Sequence, residues 1–308
     1  MTRASPRIGV IGIADGWSTQ RLLDAVEAKT GYRRLIEMDE VVLDLEAGRV
    51  LHRGDDLSEL DGVIVKKIAR DYTPDALDRV DILQVLGDRG VRVFSPPASM
   101  YPLINRLSGT VKLRLGGIPM PATQVTECAS AAAEIVRSFG AAVAKPLYTS
   151  KARGMVILRA EDPELDARVA AFQADNQVMY LQKFVDIPGR DLGVVFLGGE
   201  YLATYARVSG GSWSTSTSKG GKYERHDPSP EIIELARRAQ ALFDLDFTCV
   251  DVVETAEGPK VFEVSAFGGF RGLLHACEVD AAARYADYAL TCLREGKRNS
   301  GSEQEVSS

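Results

Sequence analysis

Two carboxylates near the C-terminal end have the spacing of a hard-cation site. In FTCVDVVETAEGPKVFEVSAFGGFRG, residues 247–272, two β-rich runs (247–254 and 259–265) flank the turn Ala256-Glu257-Gly258. A three-residue hairpin loop ending in glycine at the left-handed position is a common connection. That register predicts Thr255 opposite Pro259, Val253 opposite Val261, Asp251 opposite Glu263 and Cys249 opposite Ser265. Strand side chains alternate, so Asp251, Glu263 and Ser265 share one face, and Val250, Val252, Phe262 and Val264 the apolar other. Opposed carboxylates repel unless a cation, a proton or a basic side chain lies between them. Magnesium takes oxygen ligands, commonly one or two carboxylates with water and substrate phosphates. The pair therefore reads as a Mg²⁺ (or Mn²⁺) site, with a solvated rim as the bland alternative.

Cationic side chains recur at places suited to anions. In GAAVAKPLYTSKARGM, residues 140–155, an apolar strand delivers Lys145, and the loop after it carries Ser150, Lys151 and Arg153. Small-residue basic loops close over polyphosphate with backbone amides and cations opposing its charge. A strand-end lysine that merely snorkels is the structural alternative. Lys66, Lys67 and Arg70 follow the apolar run LDGVIV. Open α/β sheets bind ligands beyond the carboxyl ends of their strands, so these three suit an anionic substrate, or else form a solvated basic loop. Arg271 ends the turn AFGGFR, whose glycines permit close backbone approach to a ligand. It suits a substrate carboxylate or a transferred phosphate; a surface arginine on a glycine-rich turn is the plain reading.

The 308 residues that must position these groups can form two or three small domains. Residues 7–13 read as a strand, followed by a turn and a helix capped by Ser18. Gly9, Gly12 and Gly16 fall at the wrong intervals for a dinucleotide fingerprint. Strand-like runs near 34–38, 62–66 and 91–95 alternate with helical patterns, including 74–88, which predicts a parallel α/β sheet. Ser99 is expected to cap one helix through Leu115, with Pro102 in its first turn and Gly116-Gly117 as its stop. Residues 228–243 and 279–294 read as helices, and the polar, aromatic-free end from 296 as disordered. With 45% hydrophobic and 26% charged residues the chain is of the soluble globular kind, and a net charge of −6 argues against general nucleic-acid binding. No apolar run approaches the roughly 18–20 residues that span a membrane. MTRASPRIGVIGI lacks a signal-peptide core, and four scattered cysteines suggest reduced thiols in a cytoplasmic protein.

In this order the motifs resemble those of the ATP-grasp ligases, and most closely the RimK-like glutamate ligases that modify a ribosomal protein. The likeness covers most of residues 95–274. It implies an α/β chain of the α+β ATP-grasp kind: an N-terminal parallel α/β domain (1–98) and two α+β subdomains (99–182 and 183–296) that clasp ATP, before a tail (297–308). Asn105-Arg106 stands where the family has Asp-Lys, so Arg106, with Lys145 and Lys151, would face the phosphates. Gln182-Lys183-Phe184-Val185 stands for the hinge Gln-Glu-Tyr-Ile along the adenine edge, and Asp191 for the acid after it. Arg207 matches the arginine where an acyl phosphate forms, while Asp251, Glu263 and Ser265 match the metal ligands. Arg271 or Lys67 would orient the acceptor, with Lys66, Lys67 and Arg70 as the substrate group.

The chain departs from the family at Ser265 and Ser216, where asparagines are usual, and at Gly193, where an arginine is. FEVSAFGGFRG also looks like the GAK-system branch of bacterial ATP-grasp proteins. The resemblance implies a carboxylate–amine ligase working through an acyl phosphate. Its cofactors would be ATP and Mg²⁺, its substrates a small-molecule or peptide carboxylate and an amine, with homo-oligomerisation left open. The departures support a second expectation, an ATP-binding sensor or partner protein that does not ligate.

Overall fold

The computed structural model describes residues 5–149, 152–187, 189–210, 215 and 220–296; Ser150, Lys151, Ser216 and the tail 297–308 lie outside the described residues. The N-terminal unit comprises β1 (Ile8–Ile11), α1 (Trp17–Thr30), β2 (Leu35–Ile36), β3 (Val41–Asp44), β4 (Arg49–His52), β5 (Asp55–Asp56), β6 (Gly62–Val65), α2 (Asp75–Asp88) and β7 (Arg92–Phe94). Its main sheet is parallel, in the order β2-β1-β6-β7. The unbroken apolar runs IGVI and GVIV are buried along their whole length, as strands covered on both faces must be. The antiparallel β3-β4-β5 sheet is an addition that the sequence pattern did not announce. Helix α1 starts at Trp17 with Gly16 as its N-cap and no side-chain cap, so Ser18 lies within the first turn instead of capping it.

The expected single helix from Ser99 to Leu115 is two, α3 (Pro97–Ile104) and α4 (Arg106–Leu115). Asn105 between them is extended, and its carboxamide oxygen accepts from the amides of Leu107 (2.8 Å) and Ser108 (3.3 Å). An asparagine N-cap competes well with helix continuation, which is why the chain breaks here. Pro102 is consequently inside α3, not in the first turn of a helix capped by Ser99. The break puts Arg106 at the head of a helix.

A central unit follows: β8 (Thr123–Thr126), α5 (Ala129–Phe139), β9 (Ala141–Lys145), β10 (Val156–Arg159), α6 (Leu165–Asp175) and β11 (Met179–Lys183). Its antiparallel sheet, β10-β9-β11-β8, has a core of its own, including Val136, Leu158, Phe172 and Met179. The C-terminal unit comprises β12 (Arg190–Leu197), β13 (Glu200–Val208), β14 (Lys222–Arg225), α7 (Pro230–Ala241), β15 (Phe247–Thr255), β16 (Gly258–Ser265), α8 (Arg271–Cys277) and α9 (Ala281–Glu295). Its sheet runs β14-β13-β12-β15-β16. One side packs α7 and shares a core with the N-terminal unit, Val194 and Val250 joining Ile11 and Val65; the other joins α9 to Ile8 and Leu22 of β1 and α1. The N- and C-terminal units thus form one body, and the central sheet faces it. Among the described residues no helix is long and apolar enough to cross a membrane.

The hairpin of β15 and β16 keeps its expected register over its first pairs, with Asp251 opposite Glu263 and Cys249 opposite Ser265. Beyond Asp251 the pairing shifts: Val253 faces Lys260 and Thr255 faces Gly258, not Val261 and Pro259. Gly258, at φ 101°, takes the conformation that glycine tolerates, and the loop shrinks to Ala256-Glu257. A bulge leaves Phe262 unpaired and re-aims it. Instead of joining the core it lines the cleft, with Lys145 Nζ 5.2 Å from its ring centroid.

Candidate functional site

A cleft of about 770 Å³ opens between the central sheet and the C-terminal sheet, and reaches the first turn of α1. Lys145, at the end of β9, is buried and donates to Gln182 Oε1 at 2.6 Å on the neighbouring strand β11. Burial and the nearby Arg106 charge lower the Lys145 pKa to about 7, against the pull of Glu263 and Asp251. Gln182 is itself held through Nε2 by Thr123 Oγ1 (3.2 Å). Lys183, Phe184 and Val185 continue along the cleft wall. The amides of Lys183 and Phe184 already donate to Ala122 (2.8 Å) and Ala141 (2.9 Å).

Arg106 faces the cleft from the head of α4 and is almost wholly buried. It donates to Glu263 Oε2 at 2.9 Å, and to the carbonyls of Pro146 (3.3 Å) and Thr149 (3.2 Å) at the entry of the basic loop. The pairing joins the expected phosphate ligand to an expected metal ligand.

Arg207, from β13, sits between two acids. Its Nε donates to both oxygens of Asp191 (3.2 and 3.0 Å), and its Nη2 pairs with Asp191 and, at 2.8 Å, with Asp251. Burial disfavours the guanidinium charge, but the two carboxylates outweigh that and raise its pKa well above the ordinary arginine value. Asp251 is raised to about 7: burial is the main cause, and Glu263 and Asp191 add to it while Arg207 opposes. Two aspartates share one arginine, which leaves Asp251 short of a full counter-charge.

Asp251, Glu263 and Ser265 all line the cleft. Among the described residues no group of three or more His, Cys, Asp or Glu side chains is placed to hold a metal ion. Two carboxylates directly opposed, with a hydroxyl two residues on, still offer a hard oxygen set of the kind that holds Mg²⁺ jointly with substrate phosphates. The donor chemistry fits that ion.

The substrate group divides. Lys66 lines the cleft but is buried at 6% exposure, its Nζ donating to the carbonyls of Gly268 (2.6 Å) and Phe267 (3.3 Å) and lying 4.5 Å from the Phe270 ring centroid. Burial first, then the charge of Lys67, lowers its pKa to about 7. It is a strut beneath the glycine-rich turn. Lys67 lines the cleft and donates to the Arg70 carbonyl at 3.1 Å. Arg70 is not brought in: it is exposed, and its Nη1 holds both oxygens of Asp15 (2.9 and 2.8 Å). That ion pair joins residues fifty-five apart in the chain and was not visible from the spacing of charges. Arg271 is no mere turn residue; it opens α8 and lines the cleft.

Tyr205 and Trp17 are cleft residues that the sequence did not single out. Tyr205 is 3% exposed and stands opposite Gly193 across β12 and β13. A Cβ on Gly193 would fall 2.5 Å from its ring, and one on Gly272 would fall 2.6 Å from it. The ring occupies the space that a side chain at 193 would need, which accounts for glycine there.

A model of the RimK-like ATP-grasp domain matches residues 105–289. A tetrahydromethanopterin:alpha-L-glutamate ligase of Methanocaldococcus jannaschii is 29% identical over 232 residues, covering 73% of this chain and 78% of that protein. Its namesake from Methanosarcina acetivorans is 25% identical, over 90% and 98% of the two chains. The ATP-grasp ligase PsnB, solved with a precursor variant, Mg and ADP, superposes with a TM-score of 0.72 at 18% identity, covering 94% of this chain and 99% of PsnB. A RimK-domain ATP-grasp protein of Sphaerobacter thermophilus gives 0.71 at 20% identity, over 92% and 98%. These structural likenesses bear on the fold, which is the mixed α/β architecture of ATP-grasp ligases. With more than half of its length matched by the family model, the chain belongs to the RimK-like ATP-grasp family.

Proposed function

We propose that the protein is an ATP-dependent carboxylate–amine ligase that forms an amide bond through an acyl phosphate. The observation that carries this reading is the convergence of Arg106, Lys145, Arg207, Asp251 and Glu263, from five different elements, on one cleft. Phosphoryl transfer leaves little covalent work to a protein; it asks for positioning and charge neutralisation. Lys145 and Arg106, with Lys151 from the loop, would hold the phosphates. The adenine edge would lie along Gln182–Val185, where the committed Lys183 and Phe184 amides point to the next amide, Val185, as donor. Asp251, Glu263 and Ser265 would hold Mg²⁺, which when bound supplies charge neutralisation at the triphosphate.

A substrate carboxylate oxygen attacks the γ-phosphorus and ADP leaves. The amine then attacks the acyl carbon, phosphate leaves, and the amine proton passes to solvent. Arg207, fixed by Asp191, would stabilise the acyl phosphate oxygens; Arg271 or Lys67 would orient the acceptor. We place the domain divisions near residues 98, 182 and 296, within two residues of the start of α3 and the ends of β11 and α9. Among the described residues Cys128, Cys249, Cys277 and Cys292 form no disulfide, which supports a reducing, cytoplasmic compartment. The turn FEVSAFGGFRG supports a place in the GAK-system branch.

Relatives named glutamate ligases favour an amino acid or a short peptide among the substrates. The test is incubation with ATP, Mg²⁺ and pools of carboxylates and amines, with ADP, phosphate and amide product measured together. Tight ATP binding with no carboxylate-dependent ADP formation would replace the ligase by a nucleotide-binding sensor.

A further inference from the structure

Among the described residues three arginines line the cleft, and two are engaged by carboxylates: Arg106 by Glu263, and Arg207 by Asp191 and Asp251. Arg271 is different. Its contact is with an aromatic face, its guanidinium carbon lying 5.2 Å from the centroid of the Trp17 ring. The same indole stacks on His275, with centroids 6.2 Å apart and planes inclined by 26°. Arg271 and His275 are four residues apart on α8, so a single ring spans one turn of that helix.

Trp17 is rooted elsewhere. It is the first residue of α1 and packs against the core that joins β1 and α1 to α9. A second residue of the N-terminal unit works on the same spot: Lys66 holds the Phe267 and Gly268 carbonyls just before α8 begins. An arginine held over an aromatic face by its charge leaves its N–H groups available to a carboxylate, which the guanidinium fork matches bidentately.

We propose that Trp17 is a positioning residue that holds Arg271 ready for a substrate carboxylate distinct from the one that reacts at Arg207. The N-terminal unit thereby sets affinity for that substrate without touching the nucleotide. This rests on the ligase reading, since it requires a nucleotide-loaded cleft.

The experiment uses the full chain saturated with the ATP analogue AMP-PNP and Mg²⁺, titrated calorimetrically with L-glutamate, L-aspartate and succinate as probes. The expected result is binding of at least one probe, weakened about three- to fivefold in Trp17→Ala and largely restored in Trp17→Phe, which keeps an aromatic face. Arg271→Ala should lose it, and AMP-PNP affinity should stay unchanged in all three variants. Trp17 is one of two tryptophans in the chain. In a Trp213→Phe background its emission should therefore change on probe binding, and Arg271→Ala should remove the change, a readout that a purely structural tryptophan would not give.

Trp17→Ala binding like the parent, an emission that ignores the probe, or no probe bound by the AMP-PNP-loaded parent would each overturn the proposal. Failure to bind AMP-PNP would instead refute the ligase reading beneath it.

Discussion

Replacing Glu263 by Gln separates two roles that the ligand-free cleft ties together. Glu263 Oε2 and Arg106 Nη1 are 2.9 Å apart, with the arginine side chain 9% exposed and the glutamate 45% exposed. Such a pair lies between the surface value of at most about 1 kcal/mol and the roughly 3–5 kcal/mol lost when a fully buried pair is broken. The open glutamate end puts it near the lower figure. Glutamine keeps the shape and a neutral acceptor but removes the charge that competes with phosphate for Arg106.

AMP-PNP binding in EDTA should therefore tighten by up to about fivefold, the equivalent of about 1 kcal/mol. The gain on adding Mg²⁺ should shrink, because one of two carboxylate donors is gone. Calorimetric titration of parent and Glu263→Gln chains, each in EDTA and in Mg²⁺, gives four dissociation constants. A variant with unchanged or weaker metal-free binding refutes the competition at Arg106. One that keeps the parent's full Mg²⁺ increment removes Glu263 from the metal site.

Lys145 gives a pH signature. Its folded pKa, lowered from 10.5 to about 7, means that its contribution to stability grows as pH rises from about 7 towards 10.5 and is lost as pH falls through 7. Phosphate should restore the charge, so nucleotide binding near pH 8 should take up a proton and weaken as pH rises; calorimetry in two buffers of different ionisation heat should show an uptake that Lys145→Met reduces. Arg207→Met leaves Asp191 and Asp251 facing each other and should cost about 3 kcal/mol or more in denaturant unfolding, with carboxylate-dependent ADP formation abolished. Gly193→Ala pushes a Cβ to 2.5 Å from the Tyr205 ring and should cost about 1–3 kcal/mol; a double-mutant cycle with Tyr205→Ala should show strong coupling, and additive costs would refute the wedge.

The parallel strands of the N-terminal sheet and the amphipathic α7 were legible because apolar periodicity is a local signal. So was the hairpin's acidic pair, since alternation and an approximate loop length sufficed to bring Asp251 to Glu263. The bulge at Phe262 escaped because a one-residue shift preserves apolar composition and is decided by what the strand packs against. The break at Asn105 was masked by a continuous helical pattern on both sides, although asparagine is a strong N-cap. The contacts of charged residues were the least legible. Lys66 looked like a substrate ligand and is tied to two carbonyls; Arg70 looked similar and pairs with Asp15, fifty-five residues away. Nothing local distinguishes those fates. Trp17 and Tyr205 belong to the cleft through contacts between distant elements, which no spacing along one strand or helix reports.

The measurement that bears most directly on the central claim is the stoichiometry of ATP cleavage under ligase conditions. With Mg²⁺, ATP and a competent carboxylate and amine, the cleft's chemistry predicts one ADP and one phosphate per amide formed, with carboxylate oxygen-18 appearing in the released phosphate. Cleavage to AMP and pyrophosphate, or phosphate release that carries no label and is indifferent to the carboxylate, would contradict it.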